Sequence, residues 1–179
     1  MSKKAIFYIV FFVALAVGFY FVLKTNIPVF AKKGLPPIGN VQPFSFTNQN
    51  GKTITEKDIV GKVAVVNFFF TTCKSVCPIM ATNLLPVYKK FGAESDFIML
   101  SHTSDPERDS VPTLKRYADS LQVQGGKWLF VTGRKDSLYA AARHSYKIDD
   151  PANFVQNIDD DFLHSQFIAL VNKKGEVVK

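Results

Sequence analysis

Residues 63–78 read VAVVNFFFTTCKSVCP, and this stretch decides the fold. Its first part, 63–70, is a continuous run of apolar, β-branched and aromatic residues, which is typical of a strand buried on both faces of a sheet. The loop TTCKSV follows, and Pro78 suits the first turn of a helix predicted for 78–91, which Pro86 should kink. The stretch therefore predicts a buried strand, a loop with two cysteines and a helix.

The rest of the chain continues this alternation of strands and helices. Hairpins are predicted around Asn50-Gly51, between 44–46 and 53–55, and around the turn 172–175, between 167–171 and 176–178. Two more central strands are predicted at 96–101 and 128–132, and two more helices at 110–123, capped by Ser110, and 136–146. We therefore expect an α/β fold with a central sheet that contains parallel strands and is flanked by helices.

The N-terminal 33 residues differ from the rest in composition. Residues 5–23 hold 19 amino acids without a charge or a proline, and a helix of that length rises about 28 Å, close to the thickness of a bilayer's hydrocarbon core. No A-x-A-like site follows, so we expect an uncleaved membrane anchor over 1–24 rather than a cleaved signal peptide. A tether rich in Pro, Gly and Lys is expected over 25–42, and the folded domain over 43–179.

The charge distribution argues against a nucleic-acid partner. The net charge is +7, but residues 1–33 contribute five lysines and no acid, which leaves +2 for the remainder. That remainder has no basic stripe of the kind that binds nucleic acid. Because lysines stand on both sides of the apolar segment, the positive-inside rule barely decides its orientation.

The two cysteines, Cys73 and Cys77, form a C-x-x-x-C pair. A disulfide-stapled secreted domain would have more cysteines, spaced farther apart, so this pair indicates a site. It follows the carboxyl end of a buried strand, where α/β sheets hold their ligands, and a helix N-terminus there stabilises thiolates. Such a pair serves either disulfide exchange or a soft metal ion, and the spacing does not choose between them.

Three histidines compete as a further ligand. His164 precedes an apolar strand in a loop that can reach the thiols, and His102 follows the predicted strand 96–101, at the same edge of the sheet. His144 lies within a predicted helix and is the weakest candidate. Spacing alone does not rank His164 far above His102.

Three segments resemble the hallmarks of the SCO/SenC family and occur in the same order. Residues 63–80 (VAVVNFFFTTCKSVCPIM) resemble its strand and T-x-C-x-x-x-C-P loop, residues 101–118 (SHTSDPERDSVPTLKRYA) its S-x-D-P-E-R-D turn and helix, and residues 163–178 (LHSQFIALVNKKGEVV) its histidine before a strand. The resemblance covers about 44–179. It implies a thioredoxin-like fold and a copper site formed by Cys73, Cys77 and His164.

The resemblance also implies a function in the assembly of cytochrome c oxidase. Family members help to deliver copper to the binuclear site of subunit II, to reduce the cysteines of that site, or both. The residues leave open an alternative, a membrane-tethered thiol–disulfide oxidoreductase that uses Cys73 and Cys77 as a redox pair without a physiological metal. A peroxidase-like reductant is disfavoured, because nothing marks a separate peroxide site. Both main functions place the domain on the extracytoplasmic side of a cell membrane. A bacterial membrane is expected, because no transit peptide precedes the apolar segment.

The chain departs from the family pattern beside the expected ligands. Leu163 stands where many members have an aspartate before the histidine, and we expect Asp160 and Asp161 to lie in a solvated acidic loop. His102 stays a candidate accessory ligand. The family usually continues past residue 179 through a further loop and helix, so we expect the last strand to leave an exposed sheet edge.

The acidic turn after the second central strand is expected to be structural. Pairing between arginine and carboxylates is common at turns and helix starts. We therefore expect an Arg–carboxylate turn, outside the site, from Asp105, Glu107, Arg108 and Asp109.

Overall fold

The computed structural model describes residues 2–26, 35–123, 125–153, 161–163 and 165–178. The chain divides into two compact units, Met1–Pro36 and Pro37–Lys179. The first contains helix α1, Lys3–Asn26, whose large apolar side chains are exposed. Among the described residues it is the one helix long and apolar enough to cross a membrane, a property that signal sequences share.

The second unit is built on an eight-stranded mixed sheet in the order β1-β8-β7-β4-β5-β6-β2-β3. β4–β5 and β5–β6 are parallel and the other pairs are antiparallel. The strands are β1 Gly39–Asn40, β2 Ser45–Asn48, β3 Thr53–Thr55, β4 Val63–Phe69, β5 Phe97–Thr103, β6 Trp128–Thr132, β7 Ile168–Val171 and β8 Glu176–Val177. The helices are α2 Val76–Phe91, α3 Val111–Ser120 and α4 Lys135–Ala140. Short turns of 3₁₀-helix lie at Glu56–Asp58 and Pro151–Asn153, and a π-helical turn lies at Ala141–Ser145.

Apolar side chains cover both faces of the central strands, because successive residues of a strand point to opposite sides. On one face Val66 and Phe68 of β4 belong to a core cluster with Leu138 and Tyr139 of α4. On the other face Phe69 packs in a second cluster that includes residues of α2 and α3. The predicted α/β class is therefore confirmed.

Both predicted hairpins are present. β2 pairs with β3, and Gly51 in their turn has a φ of 75°, a conformation that glycine adopts without strain. β7 pairs with β8 around the turn that ends at Gly175. The thiol-bearing segment also follows the prediction, with β4 before it and α2 after it, and α2 continues through Pro86.

Two predicted helices differ from the structure. α3 ends at Ser120 instead of residue 123, because Gln122 takes a left-handed conformation (φ 56°) and the Val123 N–H donates to the carbonyl of Ala118, 3.1 Å away. The Ser110 side chain does not cap α3; its hydroxyl lies 3.0 Å from that of Thr113. The helix predicted for 136–146 is α4 followed by the π-helical turn.

Strand β1 lies within the segment expected to be a tether. Gly39 and Asn40 pair antiparallel with Val177 and Glu176, so these two residues belong to the sheet. The same pairing corrects the expectation for the sheet edge, because β8 is covered by β1 instead of being exposed. Two backbone hydrogen bonds extend the contact, from Ile38 N–H to the Val177 carbonyl (2.7 Å) and from Val41 N–H to the Gly175 carbonyl (2.9 Å).

Candidate functional site

The two thiols lie together at the N-terminus of α2. The helix begins two residues earlier than predicted, so Cys77 lies in its first turn and Cys73 in the loop before it. The Cys77 backbone N–H donates to Cys73 Sγ at 3.4 Å, and Cys73 Sγ lies 3.9 Å from the Ser75 hydroxyl. Ser75 makes no side-chain cap, so the sulfur of Cys73 meets a free N–H of the helix. Both cysteines are reduced.

The two sulfurs differ in exposure and in acidity. Burial opposes ionisation of Cys73, but hydrogen bonds from the thiol and backbone of Cys77 and from Ser75 outweigh it and lower the pKa of Cys73 to about 7. Burial is the main reason that the pKa of Cys77 rises to about 12, with smaller contributions from its hydrogen bond to Cys73 and from the charge of Asp109. Cys73 is half-buried and Cys77 is buried. The pair therefore has one accessible thiol that ionises near neutral pH and one that stays protonated.

Asp109 is fully buried behind the thiol loop. Its carboxylate accepts hydrogen bonds from the Thr71 N–H (3.1 Å), the Thr71 hydroxyl and the Thr103 hydroxyl (2.6 Å). Of the expected arginine–carboxylate pairs, the structure shows the one between Arg108 and Asp105, with 3.5 Å from Nη1 to Oδ2. The expectation that Asp109 belongs to that pairing is wrong, since its donors come from β5 and from the residue two positions before Cys73.

Tyr117 of α3 lies close to the same pair of thiols. Its ring stacks on Phe69 with 5.0 Å between centroids and packs edge-on against Phe130 at 5.5 Å. Burial raises the pKa of Tyr117 to about 12, and the charges at Cys77 and Cys73 contribute to the shift. The phenol is therefore neutral at physiological pH.

A cavity of about 320 Å³ opens beside Cys77. Phe68, Phe69 and Phe70 line it, together with Leu163, Ser165 and Phe167. The segment that carries the predicted histidine ligand thus borders the thiol site on both sides of position 164. His164 itself lies outside the described residues.

The other two histidines lie away from the thiols. His102 belongs to β5, not to a loop after it, because the parallel pairing with β4 continues to Phe69 and Thr103. Its ring is fully buried and stacks on Phe68 at 4.9 Å, in the cluster on the sheet face opposite Cys77. The structure therefore does not place His102 where the candidate accessory ligand would have to lie. His144 is exposed on the π-helical turn.

Asp161 is buried, which corrects the expectation of a solvated acidic loop. Its carboxylate forms a bidentate ion pair with Arg143, whose Nε also bonds to Asp149 at 2.8 Å. The Tyr139 hydroxyl accepts the N–H of Leu163 at 3.1 Å and donates to the carbonyl of Ser104 at 2.8 Å. Leu163, the residue noted above as a departure from the family pattern, is a core residue. Asp160 lies outside the described residues.

Sequence reasoning missed Asp109 and Tyr117 as neighbours of the thiols. The sequence signal for Asp109 was weak, since it is the last of several charged residues in a turn. Tyr117 could be read only as one residue on the apolar face of a helix, which does not point to a site. Among the described residues no group of three His, Cys, Asp or Glu side chains is arranged to hold a metal ion.

The chain matches known proteins over most of its length. The family model described as SCO1/SenC matches residues 35–179. A SCO1 protein homolog of Bacillus subtilis is 32% identical over 143 residues, which are 78% of this chain and 72% of that protein. Three sequence motifs and the family model therefore point to the same group of proteins.

Solved structures agree with this match. BsSco, described as a member of the Sco family of cytochrome c oxidase assembly proteins with a disulfide switch, is 30% identical with a TM-score of 0.66, over 82% of this chain and 86% of that one. Copper-bound ScoI of Bradyrhizobium japonicum is 27% identical with a TM-score of 0.61, over 79% and 88%. The fold is thus the thioredoxin-like fold expected from the sequence. The chain belongs to the SCO1/SenC family.

Proposed function

We propose that the protein is a copper-binding assembly factor for cytochrome c oxidase, with Cys73, Cys77 and His164 as the copper ligands. The observation that carries the proposal is the pair of reduced sulfurs at the start of α2, linked by the hydrogen bond from Cys77 N–H to Cys73 Sγ. Copper-bound relatives support the choice of metal.

The donor set fits copper better than zinc. Two thiolates and an imidazole suit Cu(I), whereas structural zinc sites take four protein ligands. Leu163 and Ser165 border the cavity that Cys77 also lines, which supports a place for His164 in the donor set. The accessible side of the site is the one at Cys73, since Cys77 is buried.

Copper is the cargo in this proposal and cytochrome c oxidase is the recipient. We infer delivery to the binuclear site of subunit II, with the soluble domain outside the cytoplasm and α1 as its anchor. A relative described as a cytochrome c oxidase assembly protein supports the recipient. The exposed apolar surface of α1 supports the anchor.

The first test compares copper binding by the reduced and the oxidised protein. Both copper and a disulfide would use the Cys73 and Cys77 sulfurs, so reduced protein should bind one copper ion per chain and oxidised protein should bind it far more weakly. Anaerobic titration followed by elemental analysis measures this. Equal copper uptake by the two forms would exclude a dithiolate site.

The second test removes the third ligand. In His164→Ala, Cu(I) should persist on two sulfurs, while Cu(II), which prefers nitrogen and more ligands, should be lost or altered in its absorption and EPR spectra. His144→Ala is the matched control, because His144 is an exposed histidine away from the thiols. An unchanged Cu(II) spectrum in His164→Ala would remove His164 from the site.

The unequal thiols favour one alternative, a thiol–disulfide oxidoreductase. The Cys73 thiolate would attack a partner disulfide, forming a mixed disulfide and releasing one partner thiolate. Cys77 would then lose its proton and attack Cys73 Sγ, which releases the second partner thiolate, so that two electrons pass to the partner and Cys73–Cys77 becomes the disulfide. This function predicts that His164→Ala keeps full disulfide-reducing activity and that oxidase assembly depends on the cysteines alone.

A further inference from the structure

Asp109 has no cationic partner among the described residues. The Asp109 carboxylate is fully buried, and its bonds to described residues come from three uncharged donors. Isolated burial of a carboxylate is costly, and hydrogen bonds from backbone and hydroxyl groups are what offset the cost. Two of the three donors belong to Thr71, so most of this compensation depends on the conformation of the thiol loop.

These hydrogen bonds tie the loop to the sheet close to Cys73. Thr103 ends β5 and is paired with Phe69 at the end of β4, so Asp109 bridges the carboxyl ends of both strands. One residue beyond Phe69, the Phe70 carbonyl accepts the Cys73 N–H at 3.2 Å. The short chain between Phe70 and Cys73 is thereby fixed at Thr71 by Asp109 and at Cys73 by its own backbone.

We infer that Asp109 is a positioning residue that holds Cys73 Sγ in place beside Cys77, so that the two sulfurs can share one copper ion or one disulfide. The inference rests on the proposed function for its copper readout. It concerns a side chain that makes no hydrogen bond to either sulfur and acts through Thr71.

The sign of the effect distinguishes positioning from simple electrostatics. The negative charge of Asp109 raises the pKa of Cys77, so a role as a nearby charge alone predicts that its removal favours thiolate and tightens copper binding. Positioning predicts the opposite, because a loosened loop separates the two ligands. Thr71→Val and Thr103→Val keep the charge of Asp109 and remove only hydrogen bonds to it.

The experiment measures Cu(I) affinity and, without copper, the disulfide equilibrium of Cys73 and Cys77 with glutathione. The proteins are the wild type, Asp109→Asn, Thr71→Val, Thr103→Val and the double variant Asp109→Asn/Thr71→Val. Glu107→Gln is the control, since it removes an exposed carboxylate from the same turn. Circular dichroism and thermal unfolding establish that each variant is folded.

Asp109→Asn and Thr71→Val should each weaken copper binding by about 10- to 100-fold, the usual cost of losing a group that orients a ligand. Both should disfavour the Cys73–Cys77 disulfide, because a looser loop lowers the effective concentration of one thiol near the other. The double variant should be little worse than either single one, since both substitutions disrupt the same contact between Thr71 and Asp109. Glu107→Gln should match the wild type.

Two results would overturn the inference. One is a folded Thr71→Val with wild-type copper affinity and disulfide equilibrium, and this variant decides alone if Asp109→Asn does not fold. The other is tighter copper binding in Asp109→Asn. If the wild type binds no copper at these cysteines, the proposed function fails, but the disulfide equilibria of the variants still test Asp109.

Discussion

Arg143 and Asp161 form a buried bidentate ion pair, with distances of 2.7 Å from Nη1 to Oδ2 and 3.1 Å from Nη2 to Oδ1. Arg143 lies on the π-helical turn after α4, and Asp161 lies two positions before Leu163, which borders the thiol cavity. Asp149 adds a second carboxylate to the same guanidinium. One arginine thus joins the segments on both sides of residues 154–160.

Arg143→Leu should destabilise the domain by about 3–5 kcal/mol, because it leaves the buried Asp161 carboxylate and the half-buried Asp149 carboxylate without their cation. Urea denaturation followed by tryptophan fluorescence measures the change in the free energy of unfolding. The control is Arg134→Leu, since the Arg134–Asp136 pair is exposed and should contribute less than about 1 kcal/mol. Similar losses in the two variants would contradict the importance of burial.

The unfolding free energy should fall in acid because of His102. Burial lowers the pKa of His102 from its ordinary 6.5 to about 3, so between these values the unfolded chain binds a proton that the folded chain does not. The contribution of neutral His102 to the free energy of unfolding is fully present above pH 6.5 and is lost as the pH falls toward 3. Its share of the loss between pH 7 and pH 5 should be about 2 kcal/mol.

His102→Phe should remove this pH dependence. Among the described residues neither ring nitrogen of His102 has a hydrogen-bond partner, and four aromatic rings surround the imidazole. Phenylalanine should therefore also raise stability at neutral pH by about 1 kcal/mol. Denaturant unfolding at pH 5, 6 and 7 gives both quantities, and the exposed His144→Gln should keep the wild-type slope. A slope that persists in His102→Phe would assign it to other groups.

Alkylation should discriminate between the two cysteines. Cys73 is more accessible and has a pKa of about 7, so iodoacetamide should modify it first, at a rate that rises as the pH passes through 7. Cys77, with a pKa of about 12, should react slowly below pH 9. Peptide mass spectrometry measures both rates, and the guanidinium-unfolded chain, in which the rates should converge, is the control. Faster modification of Cys77 in the folded protein would refute the asymmetry.

The N-terminal helix should remain in the mature protein. Residues 5–23 carry no charge, and no small-residue cleavage site follows them. Intact-mass spectrometry of protein extracted from membranes should therefore find these residues, and the protein should resist extraction with alkaline carbonate. A mature chain that begins near Lys32 would show that the segment is a cleaved signal.

Local patterns predicted the elements that hold the thiols. The apolar run before Cys73, the proline after Cys77 and the glycines at the two hairpin turns each act on their own neighbours in sequence. For that reason β4, α2 and both hairpins follow the prediction closely. The family resemblance then supplied copper and His164, which the spacing of residues could not choose.

The sequence-based predictions that proved wrong concern contacts between segments that are distant in the chain. His102 was expected after the end of β5, at the edge of the sheet. The pairing with β4 extends β5 through His102 to Thr103, and no local signal in the sequence shows that pairing. Asp161 reads as part of an acidic loop until Arg143, 18 positions away, is brought against it. Asp109 and Thr71 are likewise 38 positions apart, so the carboxylate behind the thiols was visible only in the fold.

The pairing of β1 with β8 sets an order for the maturation of the chain. Gly39 and Asn40 leave the ribosome long before their partners Val177 and Glu176. This edge of the sheet therefore closes only after the strands between β1 and β8 in sequence have been synthesised. Until then β1 offers unpaired backbone groups to neighbouring chains, so the interval between the synthesis of β1 and that of β8 is when aggregation at this edge is most favoured.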